Sequence, residues 1–442
     1  MAAAACRAAF QAADFLFLLV STVGCMHQDK ICLVLGGARG GEFETLFSQG
    51  VTIGLIADSN SAGALPEHYP FALVEAFDFH QSPSDLLALI EKIAGSWSIE
   101  AVLNTREAYV AHHQAVTKML GLPSIGDEAL QFVTNKTAMH KAFVDCIGEH
   151  STAMFARAKS LQEVPAIVEK IGFPLILKPT NLAASLFVQK CDDWDQLNAG
   201  FPAMLDSLRK HYGKLGKDDA AAPEIQLEEF LSGSLHSQDL IVDEEGGIYS
   251  TPIVDVITGK DLGLNDFHHF YRGCPSRLGK EESEQANALA KAGVTALRLT
   301  SCVAHVEFIY TEKGPKLLEI AARPGAHRNH LLEITHGISL NVQYYNLQKR
   351  QAIDCAMRAD RHFAILTPFP RTKKTFSGLK NLQALKSLSS YKTHQFRVRG
   401  GEAIGPAREG FYSCFVLELQ AESRDQLWRD IETVREMGDC FE

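Results

Sequence analysis

The chain has 442 residues, a length that predicts about two to three domains rather than one hydrophobic core. Apolar residues make up 46% and charged residues 22%, which is typical of a folded protein and excludes a disordered chain or a polytopic membrane protein. The formal net charge of −10 argues against a dedicated nucleic-acid binder, because such proteins neutralise phosphates with Lys and Arg. The ten cysteines are scattered without a CxxC pair, which favours a reducing compartment over a disulfide framework or a zinc site.

Residues 1–25 are expected to be a disordered extension. Their apolar run at 15–20 is too short to span a membrane as a helix, and Asp14 stands at its start. The run also resembles the apolar core of a secretion signal, and Cys25 stands where a lipoprotein anchor would be, although the usual leucine three residues earlier is missing. An upstream start, with Met26 opening the folded chain, is the third alternative.

Residues 26–130 are predicted to form an α/β domain. Apolar runs at 31–35 and 51–56 have the length of buried strands, and a helical pattern separates them from a further strand at 101–104. Short buried strands that alternate with helices predict a doubly wound parallel sheet. The glycines at 36–41 follow the first strand but do not match GxGxxG, so a plain strand-to-helix turn is favoured over a dinucleotide site.

The rest of the chain has a different pattern. Within residues 131–350, a strand at 174–179 ends in a lysine, and hairpins predicted over 239–256 and 303–320 indicate antiparallel sheet. This region is therefore predicted to be an α+β domain. The last region, 355–442, is predicted to be a small α+β cap; its strand candidates are 363–367, 395–398 and 413–419, and its amphipathic helix is 423–437.

Two glutamates stand on the predicted hairpin at 303–320. Glu307 and Glu319 lie on its two strands, and side chains that alternate along paired strands can meet on one face. Two carboxylates that approach each other repel unless a cation lies between them. Oxygen ligands without thiols suit Mg²⁺ (or Mn²⁺) shared with substrate phosphates, and two solvated surface glutamates are the alternative.

The sequence around these glutamates resembles the metal-binding hairpin of the ATP-grasp superfamily. The resemblance rests on LLEIAARPG at 317–325 and on Glu307 in HVEF, and it extends upstream in the right order. Lys136 in TNK and Lys178 in ILKP are similar to the two nucleotide lysines of that superfamily. The segment EEFLSG at 228–233 is similar to its adenine hinge, and Glu107 is similar to the turn that ends the preceding domain.

The resemblance implies that ATP and Mg²⁺ are cofactors and assigns a role to each matching residue. Lys136 and Lys178 would contact the phosphates, with Lys178 also in a catalytic role, because ammonium groups offset phosphate charge. Arg323, four residues after Glu319, would bind a phosphoryl group or a carboxylate with its planar fork. The adenine and ribose contacts would be Glu228, Glu229, Phe230, Leu231 and His236.

The sequence departs from the superfamily pattern at three places. The segment 180–185, which follows the second lysine, has no glycine where a glycine-rich flap is common. Leu235 stands where an acidic ribose contact is common, beside His236. Ala321 stands where an asparagine metal ligand is common, although some amino-acid ligases of the superfamily also carry a small residue there.

Substrate contacts are expected from a second group of residues. The segment 265–272 combines histidine, aromatic and arginine residues in one predicted loop between the hinge and the metal hairpin. Such a mixture can bind a carboxylate and an amine, although a packed loop with structural histidines is an equal alternative. The candidates are His268, His269, Arg272 and, close to the metal hairpin in sequence, Arg328.

The whole pattern is most similar to the stand-alone L-amino-acid (dipeptide) ligases, which share the biotin carboxylase-like fold. It implies a carbon–nitrogen ligase that activates a small carboxylic acid, such as an amino acid, as an acylphosphate and releases ADP. The expected partners are the small carboxylate and amine substrates, with no nucleic acid and no membrane, and a homodimer is possible. The need for ATP favours the cytoplasm. A biotin carboxylase-like subunit and a non-catalytic nucleotide-binding protein are the alternatives.

Overall fold

The computed structural model describes residues 29–37, 42–60, 69–180, 186–214, 223–409, 411 and 413–442. The expectations for residues 1–25, for most of the glycine turn and for flap residues 181–185 lie outside the described residues.

The amino-terminal region is built around a parallel sheet of four described strands in the order β3-β2-β1-β4. The central strand β1 is buried from its second residue onward, which explains its continuous apolar sequence. The predicted parallel α/β domain is therefore present. Its elements are β1 (Lys30–Gly36), α1 (Glu44–Ser48), β2 (Ile53–Asp58), β3 (Leu73–Phe77), α2 (Pro83–Ala94), β4 (Ser98–Asn104), α3 (Val110–Leu120) and α4 (Asp127–Val133).

The next segment contributes a small antiparallel lobe with a core of its own. Four described strands pair in the order β5-β8-β6-β7, and two helices cover them. Leu175, Leu177 and Leu227 are fully buried between this sheet and its helices. The elements are α5 (Lys136–Ile147), β5 (Phe155–Ala158), α6 (Val164–Ile171), β6 (Leu175–Pro179), β7 (Gln189–Cys191), α7 (Trp194–Lys214) and β8 (Ile225–Glu229).

A large antiparallel sheet forms the centre of the molecule. Eight of its described strands follow the order β14-β13-β9-β11-β12-β15-β19-β17, and β10 pairs with β9 beside this path. The sheet brings the predicted metal hairpin, β13 and β14, next to β9, the strand that follows the hinge. The elements of this part are β9 (Ser234–Val242), β10 (Ile248–Ser250), β11 (Val254–Thr258), β12 (His269–Cys274), α8 (Lys280–Ala296), β13 (Cys302–Thr311), β14 (Gly314–Ala321), α9 (Arg328–His336) and α10 (Leu340–Gln348).

The carboxy-terminal strands extend the same sheet. The first of them pairs with β12, so hydrogen bonding continues across the proposed boundary at 350–355. The strands and the helix expected in this region are present, within a few residues of their predicted ends. The elements are β15 (His362–Leu366), β16 (Lys374–Thr375), α11 (Leu382–Lys386), β17 (Tyr391–Phe396), β18 (Ala403–Ile404), β19 (Phe415–Ala421) and α12 (Arg424–Glu436).

Buried amides fix the amino-terminal region against the large sheet. Asn341 and Asn329 donate side-chain hydrogen bonds of 2.6 and 3.2 Å to the carbonyl oxygen of Glu42. Lys349 at the end of α10 pairs with Glu100 on β4. These contacts hold the segment after β1 and the strand β4 against the helices α9 and α10.

In the described part of the chain, no helix is both long enough and apolar enough to cross a bilayer.

The separate core of the small lobe generates a stability prediction. Leu177 is fully buried, so Leu177→Ala should lower the free energy of unfolding by about 2–5 kcal/mol through lost burial and the cavity left behind. Amide hydrogen exchange should accelerate chiefly in β6, β7 and β8. The control is Leu161→Ala, since Leu161 is exposed and should cost far less. Equal losses in the two variants would contradict a separately packed lobe.

Candidate active site

The two hairpin glutamates lie directly opposite each other. In the β13–β14 register, Glu307 pairs with Glu319, and residues that oppose each other on neighbouring strands point to the same face. Their side chains are about a quarter exposed, at 24% and 27%. The structure thus brings together the two carboxylates that the hairpin spacing predicts as a pair.

Lys136 lies against one of these carboxylates. It is the first residue of α5, and its ammonium group forms an ion pair with Oε1 of Glu319. Burial is the largest single influence and disfavours the charged amine, but the charge and hydrogen bond of Glu319, together with the charges of Glu107 and Glu228, outweigh it, so the pKa of Lys136 is raised. Lys136 is therefore a buried, charged ammonium group beside the proposed metal ligand.

Lys178 forms the second buried ion pair of the site. It stands near the end of β6, and its Nζ lies 2.5 Å from Oε1 of Glu228 on the neighbouring strand β8. Burial opposes ionisation of Glu228, yet the Lys178 charge and a hydrogen bond from Gln226 lower the net pKa of that carboxyl group. Glu228 is thus a carboxylate that faces the Lys178 ammonium group in a nearly dry environment.

The other hinge residues line the edge of the small lobe. Glu229 lies 3.9 Å from the ammonium group of Lys316 on β14, and Leu231 is buried. Phe230 lies between two ammonium groups, with Lys190 at 4.8 Å and Lys260 at 5.2 Å from the ring centre. Cations at this distance interact favourably with the negative face of an aromatic ring, which holds the phenyl group in place.

Glu307 is supported from below by a histidine and an aspartate that the sequence reasoning did not assign. His305 Nε2 lies 3.4 Å from Glu307 Oε1, and His305 Nδ1 lies 3.3 Å from both carboxylate oxygens of Asp239. Asp239 also accepts a 2.7 Å hydrogen bond from the backbone N–H of Gly325. One buried carboxylate therefore fixes both the histidine beneath Glu307 and the turn that carries Arg323.

Arg323 reaches across to the amino-terminal region. Its Nη2 lies 2.8 Å from Oε2 of Glu107, in the turn after β4. Burial raises the pKa of Glu107 in spite of the opposing Arg323 charge. The sequence reasoning placed Glu107 at a domain end without a role, and the structure brings it into the site.

The four substrate candidates occupy different environments. His269 Nε2 lies 3.6 Å from Glu307 Oε1, so this histidine borders the carboxylate pair. Arg272 donates a 2.9 Å hydrogen bond to Thr367, just after β15, and His268 packs edge-on against the nearby ring of Phe369. Arg328 is almost fully buried and donates to Ser237 Oγ at 2.7 and 3.0 Å, which makes it a structural support beneath the site.

The geometry does not support His236 as a nucleotide contact. Ser237 opposes Glu307 in the β13–β9 register, and neighbouring residues on a strand point to opposite faces, so His236 faces away from the carboxylates. There it stacks on Phe308 and lies between Ser234 Oγ at 2.6 Å and Asp255 Oδ1 at 3.0 Å. His236 is therefore removed from the set of proposed nucleotide contacts.

The carboxylate pair suits a hard divalent cation whose shell is completed by phosphate oxygens. Within the described residues, no group of three or more His, Cys, Asp or Glu is arranged to hold a metal ion alone. Mg²⁺ is commonly bound by one or two carboxylates together with substrate phosphates and water. Glu307 and Glu319 match that donor set, and each lies beside a cationic or imidazole group.

Comparisons with known proteins agree with this geometry. Residues 171–330 match the family model of the ATP-grasp domain. Among curated proteins, it is 27% identical over 286 residues to the alanine–anticapsin ligase of Bacillus subtilis (strain 168), covering 62% of this chain and 59% of that protein. It is 24% identical over 230 residues to the D-alanine–D-alanine ligase of Mycobacterium sp. (strain KMS), covering 48% and 56%. The matches thus span about three fifths of the length of these relatives.

Solved structures show that the fold is shared more widely. An L-amino acid ligase from Bacillus licheniformis superposes with a TM-score of 0.77 over 94% of this chain and 99% of its own, at 16% identity. Biotin carboxylase from Campylobacter jejuni superposes with a TM-score of 0.64 over 94% and 92%, at 13% identity. The expected fold, a parallel-sheet domain followed by ATP-grasp antiparallel sheets, is confirmed.

Buried histidines generate a pH prediction. Burial lowers the pKa of His113 and of His140 from 6.5 to about 4, so both are neutral in the folded protein. The unfolded chain binds protons at these sites at a higher pH, so the free energy of unfolding should fall as the pH drops from about 6.5 towards 4. His113→Gln should reduce this acid sensitivity in urea titrations at several pH values. An unchanged pH dependence in that variant would contradict the assignment of His113.

Proposed function

We propose that this protein is an ATP-dependent carbon–nitrogen ligase that joins a small carboxylic acid, such as an amino acid, to an amine. The observation that carries the proposal is the set of paired charges formed by the largely buried Lys136, Lys178 and Arg323 and the partly exposed Glu307 and Glu319. They come from α5, β6, β13, β14 and the turn after β14, and each lies beside an oppositely charged or imidazole group. Buried ion pairs contribute little to the free energy of folding. A role in binding the phosphate groups of a nucleotide therefore explains this set of charges better than a role in stability.

The nucleotide would lie between the small lobe and the large sheet. Lys136 and Lys178 would donate to its phosphate oxygens, and Glu229, Phe230 and Leu231 would border the adenine. Glu307 and Glu319 would hold Mg²⁺, which neutralises charge on the transferred phosphoryl group when it is bound. Arg323 would move between Glu107 and the phosphoryl oxygens, because a guanidinium group can serve either anion with the same planar fork.

The reaction would proceed in two balanced steps. The carboxylate oxygen of the acid attacks the γ-phosphorus of ATP, the bond to the bridging oxygen breaks, and ADP leaves. The amine nitrogen then attacks the acyl carbon, loses a proton, and displaces inorganic phosphate. The protein residues would bind and orient the reactants and shield the acylphosphate from water. The reaction therefore needs no nucleophile from the protein.

Support for the amino-acid class comes from the relatives. Both the alanine–anticapsin ligase and the D-alanine–D-alanine ligase are named for ligation of alanine, and the ADP complexes among the structural neighbours suit an ATP site. His269 lies 3.6 Å from Glu307, and Glu107 pairs with Arg323, so the acid and the amine would bind near these residues. The biotin carboxylase-like function is the second candidate, favoured by the shared fold.

The products distinguish these functions. With ATP, Mg²⁺ and pairs of amino acids, the ligase should release ADP and phosphate, and hydroxylamine should trap a hydroxamate of one partner alone. ADP formation that requires biotin and bicarbonate would favour the carboxylase, and AMP with pyrophosphate would overturn the acylphosphate route. Nucleotide binding without turnover across the amino-acid pairs would favour the non-catalytic alternative.

Glu319→Gln tests the carboxylate pair. The amide keeps the shape of the side chain but removes the charge, so turnover should fall by about a hundredfold or more. Because Lys136 loses its charged partner, the thermal transition should also fall, and turnover is therefore measured well below it. Glu312→Gln is the control, because Glu312 lies on the exposed turn of the same hairpin. Full turnover in Glu319→Gln at ordinary Mg²⁺ concentration would show that this carboxylate is not a ligand.

A further inference from the structure

His140 lies at the junction between the small lobe and the large sheet. It is four residues after Lys136 on α5, so both side chains project from the same side of that helix. Its imidazole is fully buried between the rings of Phe143 and Phe155, whose centres lie 6.0 and 5.1 Å away. A polar ring in such a position needs a partner for each nitrogen.

The first nitrogen is held by a threonine. Nδ1 of His140 lies 2.9 Å from Oγ1 of Thr152, and the Thr152 hydroxyl donates a 2.8 Å hydrogen bond to the carbonyl oxygen of Leu317 on β14. Because the hydroxyl has one hydrogen and gives it to Leu317, it must accept from His140, so the proton of the neutral imidazole is on Nδ1. The Leu317 carbonyl thus selects the tautomer.

The second nitrogen faces the Lys178–Glu228 pair. His140 Nε2 lies 3.5 Å from Lys178 Nζ and 3.3 Å from Glu228 Oε1. With its proton on Nδ1, the imidazole presents a lone pair here, and the carboxylate presents another. The ammonium group, which has three N–H donors, relieves the repulsion between these two acceptors by donating to both.

The charges around the ring keep it in this state. Burial is the main cause that lowers the pKa of His140, and the ammonium groups of Lys178 and Lys136 act in the same direction. The carboxylates of Glu228 and Glu319 oppose them without reversing the shift. At neutral pH the imidazole is therefore an acceptor towards Lys178.

We propose that His140 is a positioning residue for ATP binding, which holds the Lys178 ammonium group through its Nε2 lone pair and links that group to β14 through Thr152. This inference rests on the proposed role of Lys178 as a phosphate contact. With Glu228 and His140 each accepting one N–H, the ammonium group keeps one N–H for a phosphate oxygen. The same chain of hydrogen bonds joins the strand of Glu319 to the lysine of the other lobe, so the metal and phosphate positions share one support.

A structural role alone would also require His140, so the test measures coupling to Lys178. His140→Phe keeps the ring and removes both nitrogens, Thr152→Val removes the hydroxyl at nearly constant shape, and Lys178→Met removes the charge. ATP affinity in the presence of Mg²⁺ is measured by calorimetry for each variant and for the His140→Phe/Lys178→Met pair. His150→Phe is the control, because His150 is exposed just after the same helix.

We expect His140→Phe to weaken ATP binding about tenfold, in line with the loss of a hydrogen bond to a charged group, and Thr152→Val to weaken it in the same direction. In the Lys178→Met background, the His140 substitution should have no further effect. An equal loss in both backgrounds, or normal affinity in both His140→Phe and Thr152→Val, would overturn the inference.

The same measurements distinguish a failure of the proposed function from a failure of the His140 inference. If the wild-type protein does not bind ATP, or if Lys178→Met binds it normally, the role of Lys178 is wrong and the inference falls with it. If Lys178→Met binds weakly while the His140 and Thr152 variants bind normally, only the positioning role is wrong. Should His140→Phe fail to fold, Thr152→Val decides the question, because it leaves the imidazole in place.

Discussion

The site depends on the pairing of buried charges that come from different parts of the chain. An ion removed from water is costly unless an opposite charge or several hydrogen bonds replace its hydration. Lys136 meets Glu319 across the junction of α5 and β14, and Arg323 meets Glu107 across the junction with the amino-terminal region. Each pair is satisfied only when the elements that carry it are docked, so the same contacts that arrange the site also require the lobes to assemble.

Strand register determines which side chains of the large sheet lie on the face of the carboxylate pair. Because Glu307 opposes Glu319 on one side and Ser237 on the other, the face of the sheet that carries the carboxylates is set by two sets of backbone hydrogen bonds. Asp239, two residues after Ser237, points to the same face and there supports His305. The opposite face receives His236 and Asp255, which form a hydrogen-bonded network without contact to the carboxylates.

The sequence was most informative where a residue's role depends on local pattern. The apolar runs predict the parallel strands, and the hairpin spacing predicts that Glu307 and Glu319 meet, because both follow from alternation over short distances. Contacts between distant segments left no such signal: Glu107 reaches Arg323, and Thr367 reaches Arg272, only through the tertiary fold. The prediction of His236 as a nucleotide contact rested on its neighbours in sequence, which belong to the site. Its side chain points to the other face of the sheet.

The pairing of β12 with β15 affects the order in which the large sheet can form during synthesis of the chain. A protein synthesised from its amino terminus folds its early regions first, yet β12 receives its second neighbour only when His362–Leu366 has left the ribosome. Until then β12 is an open edge, the kind of surface that pairs with other chains. The region that includes Thr367, the partner of Arg272, arrives at the same moment. Arg272 can therefore reach its final contacts only after the residues of the Lys178–Glu228 pair have been synthesised.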